Sequence, residues 1–203
     1  MKRTLIIVDV QNDFLPGGSL EVREGDQVIP VINRLQEQFD LVVATQDWHP
    51  ENHGSFASNH EGKQPLEKTD LNGLEQILWP DHCIQESRGA EFAENLHMKR
   101  VEAIIRKGMD PGIDSYSGFY DNGHKKSTGL ADYLRGRNMD EIYVTGLAGD
   151  VCVYFTVLDA LKEGFTTSLI MDATRPVNRD GFEEVVNHMK NQGAKIIKST
   201  EIP

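Results

Sequence analysis

Cysteine is scarce in this chain of 203 residues: there are two, Cys83 and Cys152. A disulfide scaffold is dense in cysteine, so two thiols in this length suit a reducing compartment, and the expected location is the cytoplasm. Positive charge is also in deficit. There are 21 Lys and Arg against 32 Asp and Glu, a formal net charge of −11. Phosphate binding needs a basic surface, so neither a nucleic-acid partner nor an anionic membrane surface is expected. No apolar stretch reaches the length of a membrane span. The opening MKRTLIIVDVQNDF sets basic residues ahead of an apolar run, but Asp9 interrupts the run and no small-residue cleavage site follows. It reads as a buried first strand, not a secretory leader. G-x-G-x-x-G and P-loop fingerprints are missing. So are repeats, low-complexity tracts and linkers.

What remains is globular in composition, 38% hydrophobic and 26% charged, and long enough for one well-cored domain over 1–203. Short apolar runs alternate with helical patterns. Strands are expected at Thr4–Val10, Leu41–Thr45, Ala103–Arg106, Glu141–Thr145, Ser168–Met171 and Lys195–Ile197. Helices are expected at Asp26–Phe39, Leu130–Arg137, Val151–Glu163 and Asp180–Asn191. Residues 47 to 90, rich in Asn, His, Gly and Pro, read as a long irregular segment, which in a compact domain is usually functional. Strands alternating with helices give an α/β fold: a three-layer, Rossmann-like sandwich with a six-stranded parallel sheet.

In such sheets function collects outside the C-terminal strand ends. Asp9, Asp47, Lys107 and Cys152 all fall on that edge. Cys152 follows a Gly-containing turn in TGLAGDVC and opens a helix, with Asp150 as the expected N-cap. A helix N-terminus favours the thiolate, and its free N–H groups can hold an oxyanion. A small buried apolar role is the plain alternative for Cys152; Asp9 and Lys107 nearby favour a nucleophile. Asp9 is placed to act as its general base and acid. Taken alone, Lys107 would be a solvated strand-end lysine; with Asp9 beside it, it can hold that carboxylate's charge. Cys83 has no activating neighbour and is assigned to packing.

The segment DWHPENHGSF places Asp47, His49 and His53 close together, and WPDHC adds His82. Loop histidines are often mere polar surface. Three with a carboxylate suit zinc, iron or manganese at a site with open positions. His60 could stand in for His53. His97, His124 and His188 look like surface residues.

Taken together, IIVDVQNDF, GGSL, QDWHPENHGSF, WPDHC, RKG, YSGF and GLAGDVC resemble the nicotinamidases of the isochorismatase-like hydrolase superfamily, in the same order from Leu5 to about Asp172. The resemblance implies a Cys-Asp-Lys triad at Cys152, Asp9 and Lys107. It implies one divalent metal, zinc before iron or manganese, on Asp47, His49, His53 and His82, which favours His53 over His60. It also implies a cis peptide before Ala148, oxyanion donors at the backbone N–H groups of Ala148 and Cys152, and ring contacts from Phe14, Trp79 and Tyr116. The implied reaction is hydrolysis of nicotinamide to nicotinate and ammonia through a thioester, in NAD salvage, with pyrazinamide as a further substrate. The assembly would be a monomer or small homo-oligomer. Val151 and Gly149 depart from the family's usual residues and leave details of the pocket wall open. Two competitors share some features: a related amidase acting on another carboxamide or carbamoyl compound, and a non-enzymatic metal-binding or thiol-redox protein.

Overall fold

The computed structural model describes residues 2–202. In chain order the elements are β1 (Arg3–Val8), α1 (Val28–Leu35), β2 (Leu41–Asp47), β3 (Lys68–Leu71), β4 (Leu74–Ile77), β5 (Val101–Lys107), α2 (Leu130–Gly136), β6 (Glu141–Leu147), α3 (Cys152–Lys162), β7 (Thr166–Arg175), α4 (Phe182–Asn191) and β8 (Lys195–Ile197). Six strands form one sheet in the order β5-β2-β1-β6-β7-β8, and every pairing in it is parallel.

The middle strands are apolar along their whole length because both faces are covered. Leu5 and Ile7 of β1 pack on the side that holds the α1 stripe of Val28, Ile29, Ile32 and Leu35. Ile6 and Val8 pack on the other side, against Leu130 and Leu134 of α2, Val153 and Val157 of α3, and Met189 of α4. This is the expected three-layer sandwich, with one helix on one face and three on the other. From β1 the chain builds outward to β2 and β5 on one side and to β6, β7 and β8 on the other. The crevice between β1 and β6 is therefore the topological switch point, where open α/β sheets take their ligands.

Three expectations need correction. The helix expected over 26–39 is α-helical only at Val28–Leu35, with single 3-10 turns at Gly25–Gln27 and Gln36–Gln38. The fifth strand of the sheet is longer than 168–171. Its pairing with β6 slips after Val144 and resumes at Gly146↔Thr174 and Leu147↔Arg175, so the polar residues of its second half stay in the ladder. Lastly, the 47–90 segment is not irregular throughout. It contains the β3–β4 antiparallel hairpin, turned by Asn72-Gly73 with both residues at positive φ. Asn-Gly between apolar residues is the standard tight-hairpin signal, and it was present in LNGL.

Candidate active site

Four strand ends supply the site. Asp9 follows β1, Asp47 ends β2, Lys107 ends β5, and Cys152 opens α3 after β6. Asp9, with a left-handed φ of 46°, turns the chain out of β1. Its Oδ1 accepts a 2.6 Å hydrogen bond from Thr45 Oγ1, and its Oδ2 lies 2.9 Å from Lys107 Nζ. Lys107 is not the solvated lysine its strand-end position allows: it is 2% exposed. Its ammonium also reaches Asp47 Oδ1 and the Ser115 carbonyl, each at 2.9 Å, and Cys152 Sγ at 3.5 Å. One cation thus touches the candidate general base, the thiol and a metal-ligand candidate together. The side chain of Gln11 secures Asp47 from behind, donating 2.8 Å bonds to the carbonyls of Asp47 and Ala90 and accepting one from the Asp47 N–H.

Burial sets the protonation states. It pushes the Cys152 thiol well up, and Lys107 offsets this only in part. Burial thus opposes the pull of the helix N-terminus toward the thiolate. Burial also lifts Asp9 above the usual carboxylate range against the pull of Lys107, which makes it a stronger base. For Lys107, burial opposes the charge, but Asp47 and Asp9 outweigh it and hold the ammonium well above its ordinary value. Asp47 stays well below its ordinary value, because His49 and Lys107 overcome its burial. A thiol paired with a raised carboxylate favours proton transfer to Asp9 as attack occurs.

The leading metal-site candidates also converge. One ligand atom each from Asp47, His49 and His82 lies within 4.8 Å of the others. His49 Nδ1–H donates to the Gly108 carbonyl, and His82 Nδ1–H to the Pro80 carbonyl. A carbonyl only accepts, so each ring carries its proton on Nδ1 and turns Nε2 inward, the orientation that metal-bound histidines use. Those two Nε2 atoms face Asp47 Oδ2 at 3.1 and 3.5 Å. Burial disfavours a charged His49, but Asp47 outweighs it and raises the ring above its ordinary value, so a proton on Nε2 satisfies the carboxylate where no metal does. The Asp9–Asp47–Cys152 cluster already holds the Lys107 ammonium, whereas at the Asp47–His49–His82 cluster a metal would take the place of the His49 proton. The donor set fits a borderline divalent ion.

His53 stands slightly apart. It groups with His49 and Asp114, and its buried Nε2 has no partner. Burial and the charge of His49 hold it down to about 4, so the ring is neutral. His60 donates its Nε2–H to the Gly54 carbonyl at 2.8 Å and stays away from the cluster. His97, His124 and His188 are exposed, as expected.

A cleft of about 360 Å³, its mouth included, joins the two halves. Phe14, Trp79 and Tyr116 line it with Cys152, Asp47 and His82, so all three expected ring-contacting aromatics share one wall. The peptide Leu147–Ala148 is cis, as expected. Cys152 is the first residue of α3, so its N–H belongs to the set with no intrahelical acceptor. Asp150 is not the N-cap; Val151 is. The Asp150 carboxylate instead accepts from the N–H groups of Val177 and Asn178, and so pins Val177 against the cleft. Gly149 also has a reason: a Cβ there would lie 2.8 Å from the Phe182 ring and the Thr174 methyl.

Sequence reasoning missed Thr45, Gln11, Gln76 and Asp114. Asp114 is buried in the cleft wall, accepting from the Ser115 N–H at 2.7 Å and from Gln76 Nε2 at 3.0 Å. A polar side chain inside a buried strand was the available signal for Thr45. For Asp114 and Gln76 there was none.

Fold and site together define a cysteine-centred α/β protein, and the sequence profile of the isochorismatase domain matches residues 3–201. The chain belongs to the isochorismatase family. Among its relatives it is similar to the nicotinamidase of Escherichia coli (strain K12), at 51% identity over 180 residues, covering 87% of this chain and 84% of that protein. It is also similar in structure to an Acinetobacter baumanii nicotinamidase and pyrazinamidase, at a TM-score of 0.96 and 48% identity, covering 98% of this chain and 97% of that one. A third relative is the pyrazinamidase of Pyrococcus horikoshii in complex with zinc, at a TM-score of 0.81 and 39% identity, covering 98% of this chain and 99% of that one.

Proposed function

We propose that this chain hydrolyses nicotinamide to nicotinate and ammonia, accepts pyrazinamide as well, and does so with Cys152 as nucleophile. The single observation that carries this reading is the Lys107 ammonium in contact with Asp9, Cys152 and Asp47 at once. It ties an acid–base and nucleophile pair to a ligand cluster in one cleft. Relatives named for nicotinamide and pyrazinamide hydrolysis over nearly the full chain support the choice of substrate.

Asp9 takes the thiol proton as Sγ attacks the amide carbon. The carbonyl electron pair moves onto oxygen, and the N–H groups of Ala148 and Cys152 receive the oxyanion. Asp9 then passes its proton to the amide nitrogen, the C–N bond breaks and ammonia leaves, with the acyl group on sulfur as a thioester. Water, deprotonated by Asp9, attacks the thioester carbon and releases nicotinate and the thiol. Lys107 stays protonated throughout and holds Asp9 ionised between proton transfers. Phe14, Trp79 and Tyr116 enclose the ring and exclude water. A divalent ion on Asp47, His49 and His82, with His53 beside them, would bind the pyridine nitrogen and fix the ring with its carboxamide toward Cys152, the templating use of a metal. Zinc fits this donor set best, with iron or manganese as alternatives. Such chemistry suits NAD salvage in a reducing cytoplasm, where both free thiols would persist.

The test is ammonia release from nicotinamide by the purified protein, as isolated, after chelation, and with zinc, iron or manganese restored. Release that falls with chelator and returns with metal is expected. Cys152→Ala should abolish turnover while retaining the metal. Activity that survives complete metal removal would sink the ring-positioning role of the cluster. No release under any metal would overturn the substrate.

A further inference from the structure

The β3–β4 hairpin has one buried polar side chain, Gln76, at 3% exposure. Its Nε2 lies 2.7 Å from the Ile77 carbonyl, 2.9 Å from Tyr116 Oη and 3.0 Å from Asp114 Oδ2. Trp79 Nε1 lies 3.1 Å from the same Tyr116 oxygen. Among the described residues, Tyr116 Oη has no other hydrogen-bond partner. A side-chain amide nitrogen and an indole nitrogen are donors only. Neither can accept the phenolic proton. Gln76 Nε2 shares its two hydrogens among three acceptors, so Tyr116 accepts from Trp79 and in part from Gln76; neither takes its O–H, and Tyr116 lines the cleft with Cys152, Asp114 and Trp79. Burial and the Asp114 charge raise the phenol well above its ordinary value, so the proton is retained at any working pH.

The geometry points to a specificity device: Gln76 and Trp79 orient the Tyr116 hydroxyl as a fixed hydrogen-bond donor into the cleft, selecting aromatic carboxamides that carry a second ring nitrogen as acceptor on that edge. The inference rests on the aza-aromatic carboxamide reading above and deepens it. A pyrazine ring differs from a pyridine ring by one such acceptor replacing a C–H. A C–H facing the hydroxyl leaves the buried donor unsatisfied, whereas a ring nitrogen satisfies it; a site built around a donor discriminates on that basis. Tyr116 would touch the substrate, while Gln76 acts through Tyr116 and is a positioning residue.

The experiment compares kcat/KM for nicotinamide with kcat/KM for the pyrazine, pyridazine and pyrimidine carboxamides, which place the second nitrogen ortho, para or meta to the carboxamide. For one of these isomers, Tyr116→Phe should lower the diazine-to-pyridine ratio by roughly three- to tenfold, the usual value of one neutral hydrogen bond. The ratios for the other two should stay fixed. Gln76→Leu should lower the same diazine-to-pyridine ratio with the hydroxyl still present, because the phenol loses a donor that helps fix its orientation. Circular dichroism and Tm report whether each variant is folded. Unchanged ratios for all three isomers in Tyr116→Phe would overturn the device while leaving amide hydrolysis intact. An intact ratio in Gln76→Leu would overturn the role of Gln76. No ammonia from any ring would overturn the function itself, and the device with it.

Discussion

Replacing Gly108 with alanine tests whether His49 is held where a metal needs it. Gly108 has φ +67°, and its carbonyl accepts from His49 Nδ1 at 2.8 Å. A Cβ at this position would sit 2.4 Å from His49 Cε1, 2.6 Å from its Nδ1 and 3.0 Å from Asp47 Oδ1. An ordinary carbon–carbon contact needs about 3.5 Å, so the imidazole must retreat by about 1 Å. That shift breaks the bond fixing the His49 tautomer, and it pushes on the carboxylate shared with Lys107. Loss of such a supporting contact typically weakens metal affinity about 10- to 100-fold. Alanine in the left-handed region adds roughly 1–2 kcal/mol of backbone cost, a fall of a few degrees in Tm for a domain of this size. Zinc affinity of Gly108→Ala measured by chelator competition, with Tm recorded on the metal-free protein, separates the two effects. A variant that binds zinc as tightly as the parent would refute the reasoning, because His49 could not then be a ligand in the observed rotamer.

Other perturbations probe the remaining parts. Lys107→Met leaves Asp9 and Asp47 buried together without their shared cation. It should destabilise the fold by about 3–5 kcal/mol in chemical denaturation, and a cost near zero would show that the ammonium does not compensate them. Burial raises Asp9 against the pull of Lys107, and Thr45→Val removes a hydrogen bond that also opposes the rise. The folded-state value should rise further, and the acid limb of kcat/KM should move to higher pH because the base must be ionised to work; an unmoved limb would exclude Asp9 as that base. His82→Ala should cost roughly tenfold more zinc affinity than His53→Ala, since His53 lies outside the Asp47–His49–His82 set, and equal losses would make His53 a full ligand.

Sequence by itself determined the sheet and its four C-terminal-edge residues, while the cleft aromatics Phe14, Trp79 and Tyr116 were legible only through the family resemblance. Buried parallel strands must be nearly continuous apolar runs, and Asp9, Asp47, Lys107 and Cys152 each break or follow such a run at its C-terminal end. Local spacing also flagged His49 and His53. Other features had no local signal. Nothing near Lys107 in sequence tells that its ammonium will be shared between Asp9 and Asp47; that follows from β1, β2 and β5 lying side by side. The helix-start position of Cys152 favours a thiolate, while burial, a property of the assembled core, pushes the thiol up. Asp150 looked like a cap, yet its carboxylate is satisfied across space by Val177 and Asn178. Asp114 and Gln76 meet across 38 residues of chain. Hydrogen-bond partners, desolvation and the direction of a phenolic proton depend on which atoms come together in three dimensions, and only the tertiary structure decides that.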